Sequence, residues 1–134
     1  HEHIGFNYRM PDAQATMILK SLKKARLNFS LRNRVAAIYD DSLLEDFVRP
    51  PRTAAWVYDI NHCEPKELVK YLNGLGVPAR RTFAPMSMQP CFGVKDNYNT
   101  LLSYELYSNT CYLPVTPSMT SQEVKHICKL VNEF

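Results

Sequence analysis

Apolar positions along this chain fall into segments of two different periods. From residue 12 to 44, Ile18, Leu22, Ala25, Phe29, Ala36, Tyr39 and Leu43 recur at three- and four-residue intervals, the spacing that lines up side chains on one face of an α-helix. One long helix, or two with a bend, is predicted there. Pro11 and Asp12 suit its first turn. Asn28 and Ser30 compete for backbone hydrogen bonds and place the expected bend near the middle. Arg49-Pro50-Pro51-Arg52 is a stiff break. Ala54 to Ile60, rich in aromatic and β-branched residues, reads as a strand. Pro65 to Leu75 reads as a short helix, with Leu68, Tyr71, Leu72 and Leu75 on its apolar side, Pro65 near its start and Gly76 past its end. Val77 to Phe83 is a second strand. Residues 84–97 form a loop with Pro85, Pro90 and Gly93, and loops of that length are commonly functional or mobile. Thr100 to Tyr107 is a helix and Cys111 to Val115 a third strand. Thr120-Ser121-Gln122-Glu123 has the form of a capping box, in which the threonine oxygen accepts from the Glu123 backbone N–H and the glutamate reaches back. The last helix then buries Val124, Ile127, Cys128 and Val131.

Helix, strand, helix, strand, helix, strand, helix is the order of an α+β layer, a small sheet covered by helices. The length of 134 residues is that of one domain and is enough to bury a real core. With 46% hydrophobic and 22% charged residues, the composition excludes a disordered, collagen-like or coiled-coil chain. No apolar run approaches the roughly 18–20 residues that span a bilayer, and no secretory leader is legible, so neither a membrane partner nor export is expected. The four cysteines, at 63, 91, 111 and 128, show no CxxC spacing, which argues against a zinc knuckle or redox motif. Reduced thiols in a cytoplasmic protein are the first reading, and one or two disulfides in an exported one the second. The chain opens on His1 and enters a helical pattern within a dozen residues, as the tail of a longer polypeptide would. His1-Glu2-His3 reads as a frayed terminus, with metal binding as the other option.

Charge changes the picture little. The net charge is +3. Six basic residues between Lys20 and Arg34 occur without an acid, and they form either an anion-binding patch or a solvated helix face. That stretch lacks interleaved aromatics, and no nucleic-acid partner is expected. There is no glycine-rich phosphate loop, no HExxH and no GxSxG. His62 and His126 stand alone, with His126 on the solvent side of the last helix. Lys95 falls in a loop and the other lysines on helices, so none stands out as a Schiff-base lysine. Composition and spacing reach only an α+β module.

Four ordered stretches go further. Gly5-Phe6-Asn7-Tyr8-Arg9-Met10, running on to Gln14-Ala15, closely resembles a block of the DegT/StrS family, pyridoxal-phosphate-dependent nucleotide-sugar aminotransferases of the aspartate-aminotransferase fold type. Arg32, Val35-Ala36-Ala37, Tyr39 and Leu43 match the family's following helix. Val77 to Pro90, with Arg80, Phe83, Pro85-Met86 and Gln89-Pro90, resembles its next segment, and Leu113-Pro114, Pro117 and Met119-Thr120 its closing one.

The resemblance implies a C-terminal piece: residues 1–48 as a connecting segment with the long interdomain helix, and residues 49–134 as the small α+β domain of a fold-type-I transferase. A missing N-terminal large domain would carry the Schiff-base lysine and the acid facing the pyridine nitrogen, so this segment alone is expected to be inactive and to have no catalytic residue. The implied reaction moves an amino group, usually from glutamate, to a keto sugar on a nucleotide, with pyridoxal phosphate as electron sink, in a homodimer with sites at the subunit interface. A stand-alone binding or regulatory module derived from the same domain is the alternative.

The resemblance also implies roles for particular residues. Asn7 would reach the cofactor phosphate of the neighbouring subunit, a sensible task for a neutral amide before a helix start, although an Asx-turn or helix cap explains it without a ligand. Tyr8 and Arg9 would line the same cleft. Arg80 stands at the family's arginine and would hold a substrate carboxylate or diphosphate, or form a surface ion pair. Arg81, next along a strand, would point to the opposite face. Met86 and Ser87 would border the sugar site. Most relatives have histidine where Ser87 stands, so any acid–base role there is in doubt. The family's glycine and glutamine in the first helix are Ile18 and Ser21 here.

Overall fold

The computed structural model describes residues 8–48, 55–89 and 101–134. Their elements are α1 (Asp12–Lys23), α2 (Ala25–Ser42), β1 (Tyr58–Asn61), α3 (Pro65–Gly74), β2 (Arg80–Arg81), α4 (Leu101–Asn109), β3 (Thr110–Leu113) and α5 (Ser121–Asn132). The α+β order is the predicted one. Asn7, Pro90, Cys91, Lys95 and the 49–52 break lie outside the described residues.

The first long helix divides at Lys24, not at Asn28 or Ser30. Thr16 and Ser21 turn their hydroxyls back onto the carbonyls of Asp12 and Met17, at 2.9 and 3.1 Å, and such back-bonding bends helices. The Lys24 amide then bonds the Ser21 carbonyl at 3.1 Å, a three-residue closure where an α-helix would use four. Asn28 and Ser30 continue inside α2.

The second strand is shorter than predicted. Val77 to Ala79 bond back to α3: the Val77 amide reaches the Leu72 carbonyl at 2.9 Å, and the Asn73 side-chain amide donates to the Ala79 carbonyl at 2.9 Å while its oxygen accepts from the Ala79 amide at 3.2 Å. Pro78 has no N–H to give a ladder. Gly76 turns the chain at φ 79°, a left-handed value that glycine adopts without strain.

The sheet has the order β1–β3–β2 and is antiparallel throughout. Tyr58 pairs with Leu113 and Ile60 with Cys111, and all four are buried. They meet Val35 and Tyr39 of α2, Leu68 and Leu72 of α3, and Val124, Ile127, Cys128 and Val131 of α5 in one core. A fully buried aliphatic side chain contributes roughly 1.5–3 kcal/mol, so this layer carries the stability. The Tyr39 ring lies 4.5 Å from Tyr58. Its hydroxyl donates to the Pro114 carbonyl at 3.0 Å and that of Tyr58 to Asp40 at 2.6 Å. Burial drives the Tyr39 phenol far above its ordinary pKa.

The capping box of α5 forms as predicted. The Glu123 amide donates to Thr120 Oγ1 at 3.3 Å and the Thr120 amide to Glu123 Oε2 at 2.7 Å, which holds that carboxyl below its usual range. At the far end the Asn132 side chain donates to the Ser42 carbonyl at 3.0 Å and accepts from the Leu44 amide at 3.2 Å, tying α5 to the end of α2. Cys111 and Cys128 are buried, and desolvation raises both thiols to about 11, while Cys63 is exposed.

α1 buries nothing. Ile18, Leu22 and Phe29, on the face the periodicity points inward, are exposed; only the later residues of that row, Ala36, Tyr39 and Leu43, reach the core. No helix among the described residues is long and apolar enough to cross a membrane.

Candidate functional site

The site follows from strand alternation. With Tyr58, Ile60, Cys111 and Leu113 turned into the core, the intervening residues Asp59 and Tyr112 lie on the other face, and β2 places Arg80 directly beside Tyr112. Two clefts meet on this face. One, of about 540 Å3, has Asp59 and Tyr112 on its floor, Phe83 and Met86 on one wall and Leu106 and Tyr107 of α4 on the other. The second, of about 350 Å3, is lined by Arg32, Trp56, Arg80 and Tyr112 among others. They share Val57 and Tyr112.

The walls are braced by polar contacts. Arg32 donates from one guanidinium nitrogen to the Trp56 carbonyl at 3.0 Å and to the Val115 carbonyl at 3.1 Å. Arg34 donates to the Met119 carbonyl at 3.0 Å. These two members of the Lys20–Arg34 basic stretch therefore staple α2 to the loops. Arg81, opposite Cys111 in the ladder, leaves the Arg80 face as alternation predicts. It donates to the Tyr107 carbonyl and stacks 4.8 Å from the Tyr107 ring, a favourable place for a cation at the end of α4. Ser87, in the middle of a single 3-10 turn, donates to the Tyr104 hydroxyl at 3.3 Å.

Of the residues singled out from the sequence, Arg80 and Met86 line these joined clefts. Ser87 is half-buried beside them and spends its hydroxyl on Tyr104. Tyr8 and Arg9 are exposed on the extended lead-in to α1 and line neither cleft. Sequence reasoning missed Trp56, Phe83 and Tyr112. The Trp56 and Phe83 rings are nearly parallel, 6.2 Å apart with planes at 15°, and Phe83 meets Tyr112 edge-on at 5.8 Å. Residues from three segments make this cluster, and only the strand pairing brings them together.

The described lysines, Lys20, Lys23, Lys24, Lys66, Lys70, Lys125 and Lys129, are exposed, and none lines either cleft. The described residues thus offer no amine inside a cleft for a pyridoxal phosphate aldehyde, and they do not by themselves fit that group. They bring no three His, Cys, Asp or Glu residues together as a metal site either. His62 is a core histidine: its Nδ1 accepts from the Glu64 amide at 3.0 Å, and Phe47 and Phe134 pack 5.2 and 5.5 Å from its ring. Burial lowers its pKa. His126 is exposed, as predicted.

Known proteins share this fold. The chain is 27% identical over 143 residues to GDP-perosamine synthase of Escherichia coli, an alignment that takes in 100% of this chain and 39% of the relative. It is 31% identical over 100 residues to GDP-perosamine synthase of Caulobacter vibrioides, covering 65% of this chain and 27% of the relative. The fold superposes with a TM-score of 0.80 and 23% identity on PseC of Helicobacter pylori, an aminotransferase involved in the biosynthesis of pseudoaminic acid, over 99% of this chain and 40% of that one. The chain therefore spans about two-fifths, or less, of the length of the proteins it matches. The profile of one family covers residues 1–132, so the chain belongs to the DegT/DnrJ/EryC1/StrS aminotransferase family.

Proposed function

We propose that this chain is the C-terminal part of a pyridoxal-phosphate-dependent enzyme that transfers an amino group, usually from glutamate, to a keto sugar carried on a nucleotide, in amino-sugar or polysaccharide biosynthesis. The observation that carries this reading is the family match across residues 1–132, supported by curated relatives that make a GDP-linked amino sugar by name. Pyridoxal phosphate, bound in the whole enzyme, supplies the electron sink; the amine that anchors it belongs to an N-terminal large domain. Residues 1–48 connect that domain to the small one formed by 49–134.

The chain's own residues bind and orient. Asn7 donates to the cofactor phosphate of the neighbouring subunit in a cytoplasmic homodimer. Tyr8 and Arg9 border the same cleft. Arg80 holds an anionic group of the substrate, since a guanidinium fork matches phosphate or carboxylate oxygens bidentately. Met86 packs against the sugar. Ser87 shapes that wall through Tyr104, a hydrogen-bonding role that needs no titratable ring.

The test is amination of nucleotide-linked keto sugars by the whole polypeptide, followed by mass spectrometry with glutamate as donor. The expected product is the nucleotide-linked amino sugar. The 134-residue chain alone is expected to yield none and to show no absorbance from a lysine-bound cofactor. Failure of the whole polypeptide to aminate any such sugar would refute the reading.

A further inference from the structure

The proposed transfer makes no use of the far end of β1. There the His62 amide donates to the Asn109 carbonyl at 2.8 Å, which joins the last residue of α4 to the strand end. Val48 bridges to Ile60 and brings the short turn with Asp46 and Phe47 alongside. A cleft of about 570 Å3 opens between these segments, a volume in the range of small-molecule sites. It contains neither Arg80 nor Tyr112. Phe47, Leu102 and Leu106 give it an apolar wall, with Leu102 67% exposed. Asp46 and Glu105 also line it, and no lysine or arginine does, although the chain as a whole carries a net charge of +3. Neither carboxylate has an ion pair or hydrogen bond among the described residues.

His62 is the second observation. It lines the same cleft and is 9% exposed. Its Nδ1 accepts from the Glu64 amide at 3.0 Å and burial favours the neutral ring, so the proton sits on Nε2. That N–H has no acceptor among the described residues. A buried donor without a partner costs free energy, and an oxygen entering the cleft would remove that cost. Two carboxylates select for positive charge, the imidazole N–H selects for an oxygen, and the apolar wall takes a carbon skeleton. The described residues bring no three His, Cys, Asp or Glu side chains together as a metal site, so the polar groups suit a molecule with separated ends and not a bare ion. We infer that this cleft binds a hydroxylated organic ammonium, an amino sugar or a smaller amino alcohol, with its nitrogen held by Asp46 and Glu105 and a hydroxyl oxygen accepting from His62 Nε2. Asp46, Glu105 and His62 have no part in the transfer proposed above, so the two claims stand or fall separately.

The test is titration of the isotope-labelled 134-residue chain, followed by NMR at the amides of Phe47, His62 and Glu105. Glucosamine, ethanolamine, glucose, N-acetylglucosamine and magnesium chloride are added separately. Glucosamine and ethanolamine are expected to shift all three amides saturably, and glucose and N-acetylglucosamine, which carry hydroxyls without the charge, to leave them in place. Tighter binding of glucosamine than of ethanolamine identifies the ligand as an amino sugar, and equal binding as a simple amino alcohol. Asp46→Asn and Glu105→Gln should each weaken glucosamine binding about two- to fivefold, as loss of one exposed ion pair does, and the double variant should respond to glucosamine no more than to glucose. Both positions are exposed, so the fold survives, as far-UV circular dichroism will show. The imidazole nitrogen signals of His62 should report the Nε2–H form before any ligand is added, and the bound ligand should move the Nε2 signal. A ring protonated on Nδ1 instead overturns the assignment. So does silence at millimolar glucosamine, a response to glucose equal to that of glucosamine, or binding that the double variant leaves unchanged. Shifts produced more readily by magnesium than by either amine also overturn it and make the cleft an ion site.

Discussion

α1 and α5 are both twelve residues long and both are amphipathic, yet α5 buries four side chains and α1 none. α5 has a capping box at its start and Asn132 locked to the end of α2. α1 begins after Pro11 with no side-chain cap, and its hydroxyls bond back into the helix. Its apolar residues Ile18 and Leu22 line a groove with Phe29 and Trp56 that nothing among the described residues fills. A helical period states which face is to be covered; it does not say by what. α5 finds its cover in the core of this chain, whereas α1 presents its face outward, as an element shared with another body would.

Substitutions can break that contrast. Leu72→Ala, in the core under α3, should cost roughly 2–5 kcal/mol by chemical denaturation, and Val124 or Ile127 of α5 should behave in the same class. Leu22→Ala in α1 should change stability by no more than about 0.5 kcal/mol; a cost comparable to Leu72→Ala would show that α1 is packed in solution. The exposed groove should make the chain self-associate at high concentration, and Ile18→Glu with Leu22→Glu should shift light scattering toward monomer. A wild-type chain that stays monodisperse there would remove the argument that this face is sticky.

Smaller effects sharpen the contrast at the helix ends and in the core. Thr120→Ala should cost about 1 kcal/mol by removing the α5 cap, and no comparable loss is expected from Pro11→Ala, since α1 has no side-chain cap to lose. The Glu123 carboxyl is held low by its bonds to Thr120, so its contribution is present above the ordinary carboxylate pKa and is lost as pH falls through the lower folded-state value. His62 gives the smallest signal. Its folded-state pKa is depressed from 6.5 by burial, so the unfolded chain binds more protons just below that pH. Stability should then fall as pH drops below about 6.5, levelling once the folded histidine also titrates. His62→Gln should flatten that part of the pH–stability curve, and a curve unchanged by the substitution would mean that His62 is solvated.

Much of the fold was legible because its signals are local. The Thr120–Glu123 box, Pro65 and Gly76 around α3, and the buried stripe of α5 each depend on residues within one or two turns. The bend lies at Lys24, before Asn28 and Ser30, because the Ser21 hydroxyl competes for the Met17 carbonyl and the Lys24 amide closes on the Ser21 carbonyl. The second strand was overestimated because Asn73, six residues before Ala79, takes both of that residue's backbone groups. Arg80 and Met86 were found through a resemblance. Phe83 belongs to the same motif but carried no site role, and Trp56 and Tyr112 lie outside the motifs; each alone looks like an ordinary strand aromatic.

Local chemistry therefore determined the element order, the helix faces and caps, and the family. The tertiary structure alone decided that β3 lies between β1 and β2, so that Tyr112 stands beside Arg80 and two clefts meet over it. Strand partners are chosen by burial of one face across long stretches of chain, and a shift of one residue would reverse every side chain. No nearest-neighbour pattern encodes that choice, and on it depends which aromatic and cationic groups share a surface.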